Sequence, residues 1–366
     1  EISELCDQTL PLDDPDKVLA EIEAADAPDA YLRSLHPKHE GFARLRQALV
    51  QARAKSEEGP KPENAEKPEI AERDMRRLIL NLERWRWLPD DLGATYIWLN
   101  TPEFTLYVFK DGKEIYSDKT LVGTIGHATP VFSADLATIV FNPEWIAPES
   151  VREETIQPQL RSKNYDFFRK YRFSVRYRDR PVNVARVDWR RVDIDDFTFI
   201  QKPGPGNNLG KVKFLYPNEH DVYMHDTLPL RKKAFKEAGR DIGNGCVRME
   251  RPDKFAELLL AEDKQWPASR VKALWDKSVN EAVTIDGEFP VHTVYFTAVA
   301  GENSKVATFA DVYGLDRKLA TAMFGDDKGF PEPPPEKKRK QLPTSSPSRW
   351  SPDRGGVAGA LDSFLD

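Results

Sequence analysis

One thiol in this chain has neighbours that suit nucleophilic chemistry. Cys246 lies in Gly243-Asn244-Gly245-Cys246-Val247-Arg248-Met249, with a glycine before it and an arginine two residues on. Upstream, His225 ends an alternating run, Tyr223-Met224-His225-Asp226-Thr227. A thiolate is a strong nucleophile, and a nearby imidazole can take its proton. A glycine before the nucleophile lets substrate approach the backbone and leaves N–H groups to bind an oxyanion. The same residues also fit a buried structural cysteine beside a strand-end histidine, and a Cys and a His alone do not decide between the two.

Such a pair needs a framework, and the hydrophobic pattern supplies one. From Ala94 the period is two: Thr95, Ile97 and Leu99 alternate with Tyr96 and Trp98. The runs 104–110 and 113–122 flank Asp111-Gly112, a two-residue hairpin signal. Further strands are predicted at 137–142, 211–216, 221–225, 291–299 and 306–309, and helices at 230–238, 252–261, 268–277 and 316–324. Between the strands, 143–204 breaks the pattern with predicted helices at 149–161 and 165–171. This block reads either as a cap that closes over a site or as a stabilising excursion.

The N-terminal part is helical in pattern: 1–58 forms a helical segment, 59–69 a Pro-rich charged linker, and 70–92 a helix carrying Trp85 and Trp87. Residues 325–366, with three consecutive prolines from Pro333 and the basic run Lys337-Lys338-Arg339-Lys340, read as a disordered tail.

Composition excludes several classes. The 366 residues are 40% hydrophobic and carry a net charge of -6, which gives no reason to expect nucleic acid. Cys6 and Cys246 form neither a disulfide framework nor a metal cluster, and His220 with His225 lacks metal-ligand spacing. The glycine-rich 204–210 lacks the Lys-Ser/Thr ending of a phosphate loop, so no nucleotide or other cofactor is expected. No apolar run approaches the roughly 18 residues needed to span a bilayer. The chain starts at Glu1, which is the expectation for a chain whose leader has been removed.

Taken together, His225-Asp226-Thr227 and Gly245-Cys246-Val247-Arg248 on a β domain resemble the YkuD-type catalytic domain of L,D-transpeptidases, and in particular its large periplasmic YcbB-like branch. The resemblance extends through Asn81-Leu82-Glu83-Arg84-Trp85-Arg86-Trp87-Leu88-Pro89, Asn142-Pro143, Pro203-Gly204-Pro205 with Leu209-Gly210, Tyr295-Phe296-Thr297 and Asp311-Val312-Tyr313-Gly314. It covers residues 70–324. The resemblance implies an α+β fold: a mainly antiparallel β-sandwich catalytic domain (93–142 and 205–324), an inserted capping subdomain (143–204) and the N-terminal helical segment. A peptidoglycan-binding module common in that branch is missing, with only the short linker in its place.

The resemblance implies a cysteine acyltransferase. Cys246 is the nucleophile, His225 the general base, the Asp226 backbone the orienter of the imidazole, and Gly245 part of the oxyanion hole. Asn244 stands where the family carries a second histidine; it can donate a hydrogen bond but carries no proton at neutral pH. Arg248 either binds the thiolate or a substrate carboxylate, or forms a structural ion pair. Tyr223 either lines the pocket or packs in the core, and His127 either borders the cleft or faces solvent. Donor and acceptor would be peptidoglycan stem peptides, in the periplasm of a Gram-negative bacterium, giving 3→3 cross-links that bear on cell shape and a site open to carbapenems. Alternatives are L,D-carboxypeptidase action, D-amino-acid exchange, attachment of an outer-membrane protein, or a non-catalytic wall-binding scaffold.

Overall fold

A computed structural model describes residues 4–7, 14–57, 68–302 and 305–333. Most of the linker and the basic run Lys337–Lys340 lie outside the described residues. The fold is α+β, with strands paired mostly antiparallel, and the chain divides into two compact units.

The first unit takes in the described residues up to Ser117, Pro130–Ala134, and those within Phe289–Pro335. Strand Thr95–Asn100 pairs antiparallel with Thr105–Lys110 and parallel with Pro290–Val294. The Asp111-Gly112 turn forms as expected, with positive φ at both residues (49° and 74°), which suits the right-handed twist of the flanking strands. Helices Glu40–Glu57 and Pro68–Trp85 bury Leu45, Leu49 and Leu78 against Ala298 and Ala300. The Trp85 ring lies 5.4 Å from Trp98 and 4.8 Å from Phe296. A Cβ on Gly41 would meet the Trp85 ring at 2.3 Å, so only glycine fits there.

The predicted strand 291–299 is interrupted. It ends at Val294 and resumes as Ala298–Ala300. Two buried asparagines take over the backbone donors in the gap: Asn100 Oδ1 accepts from Phe296 N (2.8 Å), and Asn81 Oδ1 accepts from Thr297 N (2.9 Å). A buried donor must find an acceptor, and here side chains replace the ladder.

The same region buries a charged pair. Arg84 lies 2.6 Å from Asp316, with side-chain exposures of 3% and 0%. Thr297 Oγ1 donates to the same Asp316 oxygen (3.0 Å). Tyr295 donates to Asp311 (2.7 Å), whose other oxygen accepts from Asp316 N. The Asn81–Pro89 and Asp311–Gly314 motifs are therefore two sides of one buried polar network. Residues 325–333, at the start of the expected tail, are held to this unit: Arg76 pairs with Asp326 (2.7 Å), Arg317 with Asp327, and Phe330 is buried.

The second unit takes in Asp118–Thr129 and Asp135–Glu288 among the described residues. Its sheet runs Glu281–Thr284, Thr138–Phe141, Val212–Leu215, Met224–His225, Val247–Met249, and then the end of Lys113–Gly123. Met224–His225 with Val247–Met249, and Asp241–Gly243 with Lys113–Gly123, pair in parallel. Phe214 meets Phe255 of helix Pro252–Lys264, ring centroids 4.8 Å apart. The predicted helix 230–238 is a 3-10 helix, Pro229–Lys236. The predicted helix 149–161 forms in three pieces, with a π-helical turn at Arg152–Ile156.

The 143–204 block carries its own four-stranded sheet and an aromatic core that includes Phe167, Phe168, Trp189, Phe197 and Phe199. It is thus a packed body with a hydrophobic interior, more than a loop could supply.

Removing one partner of a fully buried ion pair strands the other charge, at a cost of about 3–5 kcal/mol. Arg84→Met is expected to lower the unfolding free energy by that amount in urea titrations. Arg86→Met, which removes an exposed guanidinium paired with Glu83 at 3.1 Å, is expected to leave the midpoint almost unchanged.

Candidate active site

The two-residue strand Met224–His225 is clamped between Val212–Leu215 and Val247–Met249. In register, His225 stands opposite Lys213 on one side and Arg248 on the other. Cross-strand partners share a face, so the imidazole sits between two cationic side chains. The chain continues this clamp outward: Tyr223 O accepts from Val247 N (3.1 Å), which places Cys246 beside the Tyr223–His225 segment.

The turn before Cys246 is fixed from the other side by the loop 124–129. Thr124 N donates to Gly243 O (2.9 Å). Gly123 N donates to Thr129 Oγ1 (3.0 Å), which donates in turn to Gly245 O (2.8 Å). With its carbonyl so held, Gly245 adopts φ +91°, a conformation that glycine takes without strain. A Cβ on Gly123 would come within 1.9 Å of His127 O and 2.9 Å of Gly245 N. His127, with its carbonyl against this turn, is half-buried and not solvent-exposed.

The Cys246 side chain is half-buried, and its thiol donates to Asp221 O at 3.9 Å. Burial raises the thiol pKa above 9.0 against the opposing pull of the Tyr223 backbone and hydroxyl and of the Arg248 charge. The Tyr223 hydroxyl faces the sulfur, and its ring lies 5.7 Å from the His225 ring (centroids); burial and the sulfur both raise the hydroxyl pKa. His225 is 4% exposed. Burial holds its pKa well below 6.5, reinforced by Arg248, Arg231 and Lys213; the Asp226 backbone carbonyl opposes the shift without closing a hydrogen bond of normal geometry to Nδ1. The resting arrangement is thus a neutral thiol and a neutral imidazole.

Asp226 is buried, but its carboxylate faces away from the imidazole. Oδ2 accepts from Lys211 N (2.9 Å), and Lys232 lies 3.8 Å from Oδ1. Gly210 allows this approach, since a Cβ there would lie 2.4 Å from Oδ2. Burial raises the carboxyl pKa against these donors. Arg248 is buried, with a guanidinium nitrogen near Gly243, and its charge reaches both His225 and Cys246. Asn244 is half-buried.

Cys246, His225, Tyr223, Gly245 and Arg248 therefore come together, while Asp226 turns its side chain to the loop at Lys211 and leaves Nδ1 of the imidazole without a hydrogen bond of normal geometry. Sequence reasoning missed Thr129, Lys213 and the carbonyl of Asp221. Lys213 was open to it: alternation in the 211–216 strand places it on the face of the histidine strand. For metals, the described residues offer Glu149, Glu153 and Asp195, an exposed cluster in the 143–204 block where Arg152 already pairs with Asp195 at 2.6 Å.

Residues 94–279 match the family profile of the YkuD L,D-transpeptidase catalytic domain. The chain belongs to this family. A Haemophilus influenzae protein named "Putative L,D-transpeptidase" is 29% identical over 254 residues, covering 69% of this chain and 50% of the relative. The chain thus spans about half the length of that curated relative. Among solved structures, an L,D-transpeptidase from Mycobacterium smegmatis has a TM-score of 0.27 at 10% identity, with 55% of this chain and 58% of that one covered. L,D-transpeptidase 3 from Mycobacterium tuberculosis has a TM-score of 0.26 at 13% identity, covering 55% and 61%. The family assignment rests on the profile match, and the YkuD segment contains the whole thiol–imidazole cluster.

Two outcomes follow from the packing. Gly123→Ala is expected to lower the thermal midpoint and slow alkylation of Cys246 by iodoacetamide, because the new methyl must displace either the 127 carbonyl or the Gly245 peptide; unchanged values for both would show that the turn is not fixed as described. The depressed pKa of His225 contributes stability that is fully present above the unfolded value of 6.5 and is lost as the pH falls towards the folded value. His225→Gln should therefore flatten the fall in unfolding free energy below pH 6.5, where one group changes the slope by at most about 1.4 kcal/mol per pH unit. Parallel curves for parent and variant would show that the native imidazole is already charged.

Proposed function

We propose that this chain is a YcbB-like peptidoglycan L,D-transpeptidase that forms 3→3 cross-links through a thioester on Cys246, in the periplasm of a Gram-negative bacterium. The observation that carries this reading is that the half-buried Cys246 thiol and the buried imidazole of His225 both lie against Tyr223 and within reach of the Arg248 charge, in a segment of the YkuD family.

The thiol leaves the Asp221 carbonyl and gives its proton to His225 as the sulfur attacks the carbonyl at the L-centre of diaminopimelate in a tetrapeptide stem. Because both groups start neutral, proton transfer accompanies attack, and the Tyr223 hydroxyl and Arg248 stabilise the charge that develops on sulfur. The Gly245 and Cys246 N–H groups have no acceptor among the described residues and would receive the oxyanion, an effect of about 3–4 kcal/mol for one such donor in another acyl-transfer enzyme. The imidazolium returns its proton to the departing amine of D-alanine. The side-chain amine of a second diaminopimelate then attacks the thioester, His225 takes its proton, and the thiol re-forms as the amide closes. Asn244 supports the turn as a hydrogen-bonding residue and not as a proton carrier, and the 143–204 body caps the donor peptide.

Incubation with disaccharide-tetrapeptide, followed by mass spectrometry, tests this. Dimers that have lost one D-alanine are expected. Tripeptide monomers alone would assign L,D-carboxypeptidase action, and unchanged tetrapeptide would assign a non-catalytic scaffold. Cys246→Ala is expected to abolish both the dimers and the covalent carbapenem adduct seen by intact mass; an adduct persisting in the variant would remove Cys246 from its role. Asn244→His should keep or raise the rate, and complete inactivation would show that the site is built around asparagine.

A further inference from the structure

The chemistry above leaves a lysine at the site unused. Lys213 sits on the strand Val212–Leu215, in register with His225, so its side chain shares the imidazole's face. Its ammonium lies 5.8 Å from the centroid of the Tyr223 ring, the same ring that faces the sulfur. It is half-buried, and among the described residues no carboxylate lies within ion-pair distance of it. The neighbouring charges that act on His225 are also cations, Arg248 and Arg231. Of the carboxylates nearby, Asp226 is turned to Lys211 N, and Asp221, whose charge acts on Cys246 and Tyr223, forms no ion pair with Lys213 among the described residues. Burial lowers the ammonium pKa and the Cys246 sulfur raises it, so the lysine is within electrostatic reach of the reacting atom. A half-buried cation without a counter-ion, next to a nucleophile, is a site prepared for an anion.

We propose that Lys213 binds the terminal carboxylate of the donor stem peptide, the carboxylate of the D-amino acid that leaves on acylation. The inference rests on the L,D-transpeptidase reading and adds to it a residue that selects the donor. Covalent geometry favours this carboxylate over the others in the stem. It is separated from the attacked carbonyl carbon by a single residue's backbone, whereas the carboxylate at the D-centre of diaminopimelate lies at the far end of a long side chain. A charge-assisted hydrogen bond formed here orients the donor, and the lysine releases the carboxylate together with the departing amino acid.

The test measures acyl-enzyme formation by intact mass with three donors: the tetrapeptide, its terminal carboxamide, and a tetrapeptide amidated at the diaminopimelate D-centre. For the parent, kcat/KM should be about tenfold to a hundredfold higher for the terminal carboxylate than for the carboxamide, the range expected of a hydrogen bond to a charged group. Lys213→Met should erase that ratio by slowing the carboxylate donor to the carboxamide's rate, and Lys213→Arg should restore most of it. A lysine that only packs its stem on Tyr223 would slow all three donors alike, which would overturn the assignment. So would a ratio of one in the parent, a reading that needs no variant to fold, or discrimination confined to the D-centre amide. Failure of every donor to acylate the parent would instead overturn the L,D-transpeptidase reading, and the role of Lys213 with it.

Discussion

An imidazole held out of water with Arg248, Arg231 and Lys213 acting on it stays neutral, because both burial and charge penalise its protonated form. In this state His225 is able to accept a proton. The cost falls on the other partner: burial also keeps the Cys246 thiol protonated, in spite of Arg248. The site therefore does not store a thiolate–imidazolium pair. It stores a base, a thiol and a set of positive charges, and this combination favours a substrate that brings negative charge and develops more of it at the transition state.

Strand register sets this electrostatic arrangement. The two residues Met224–His225 would not hold a geometry alone, and they take it from the strands on either side. The turn before Cys246 takes its geometry from Thr129, which joins Gly123 N to Gly245 O. Glycines at 123, 210 and 245 appear where backbone or a carboxylate approaches too closely for a side chain, or where φ is positive. Each is a packing requirement of the site, and none binds substrate by that fact.

The period-two runs and the Asp111-Gly112 turn were legible in the sequence because both are local: alternation and turn chemistry involve neighbours in the chain. The cluster of Cys246, His225, Tyr223 and Arg248 was legible through its motifs. What escaped was non-local. The break at Tyr295–Thr297 depends on Asn81 and Asn100, asparagines distant in sequence that supply acceptors to a strand predicted as continuous. The Thr129 bridge depends on a loop distant from the nucleophile in sequence. The Asp226 carboxylate, to which the sequence reading gave no role, accepts from Lys211 N in the space that Gly210 leaves. The residues 325–333, read as part of a disordered tail from their composition, are anchored by Arg76 and Arg317, whose partners only the fold reveals.

The central claim is that a neutral, buried His225 takes the proton from Cys246 as the sulfur attacks. The most direct measurement is the pH dependence of the second-order rate of acyl-enzyme formation in the free protein, followed by intact mass. The account predicts that the rate holds through neutral pH and keeps its value below 6.5, falling only at the depressed pKa of His225. A fall centred at or above 6.5 would contradict it, because the base would then be an imidazole with an ordinary or raised pKa.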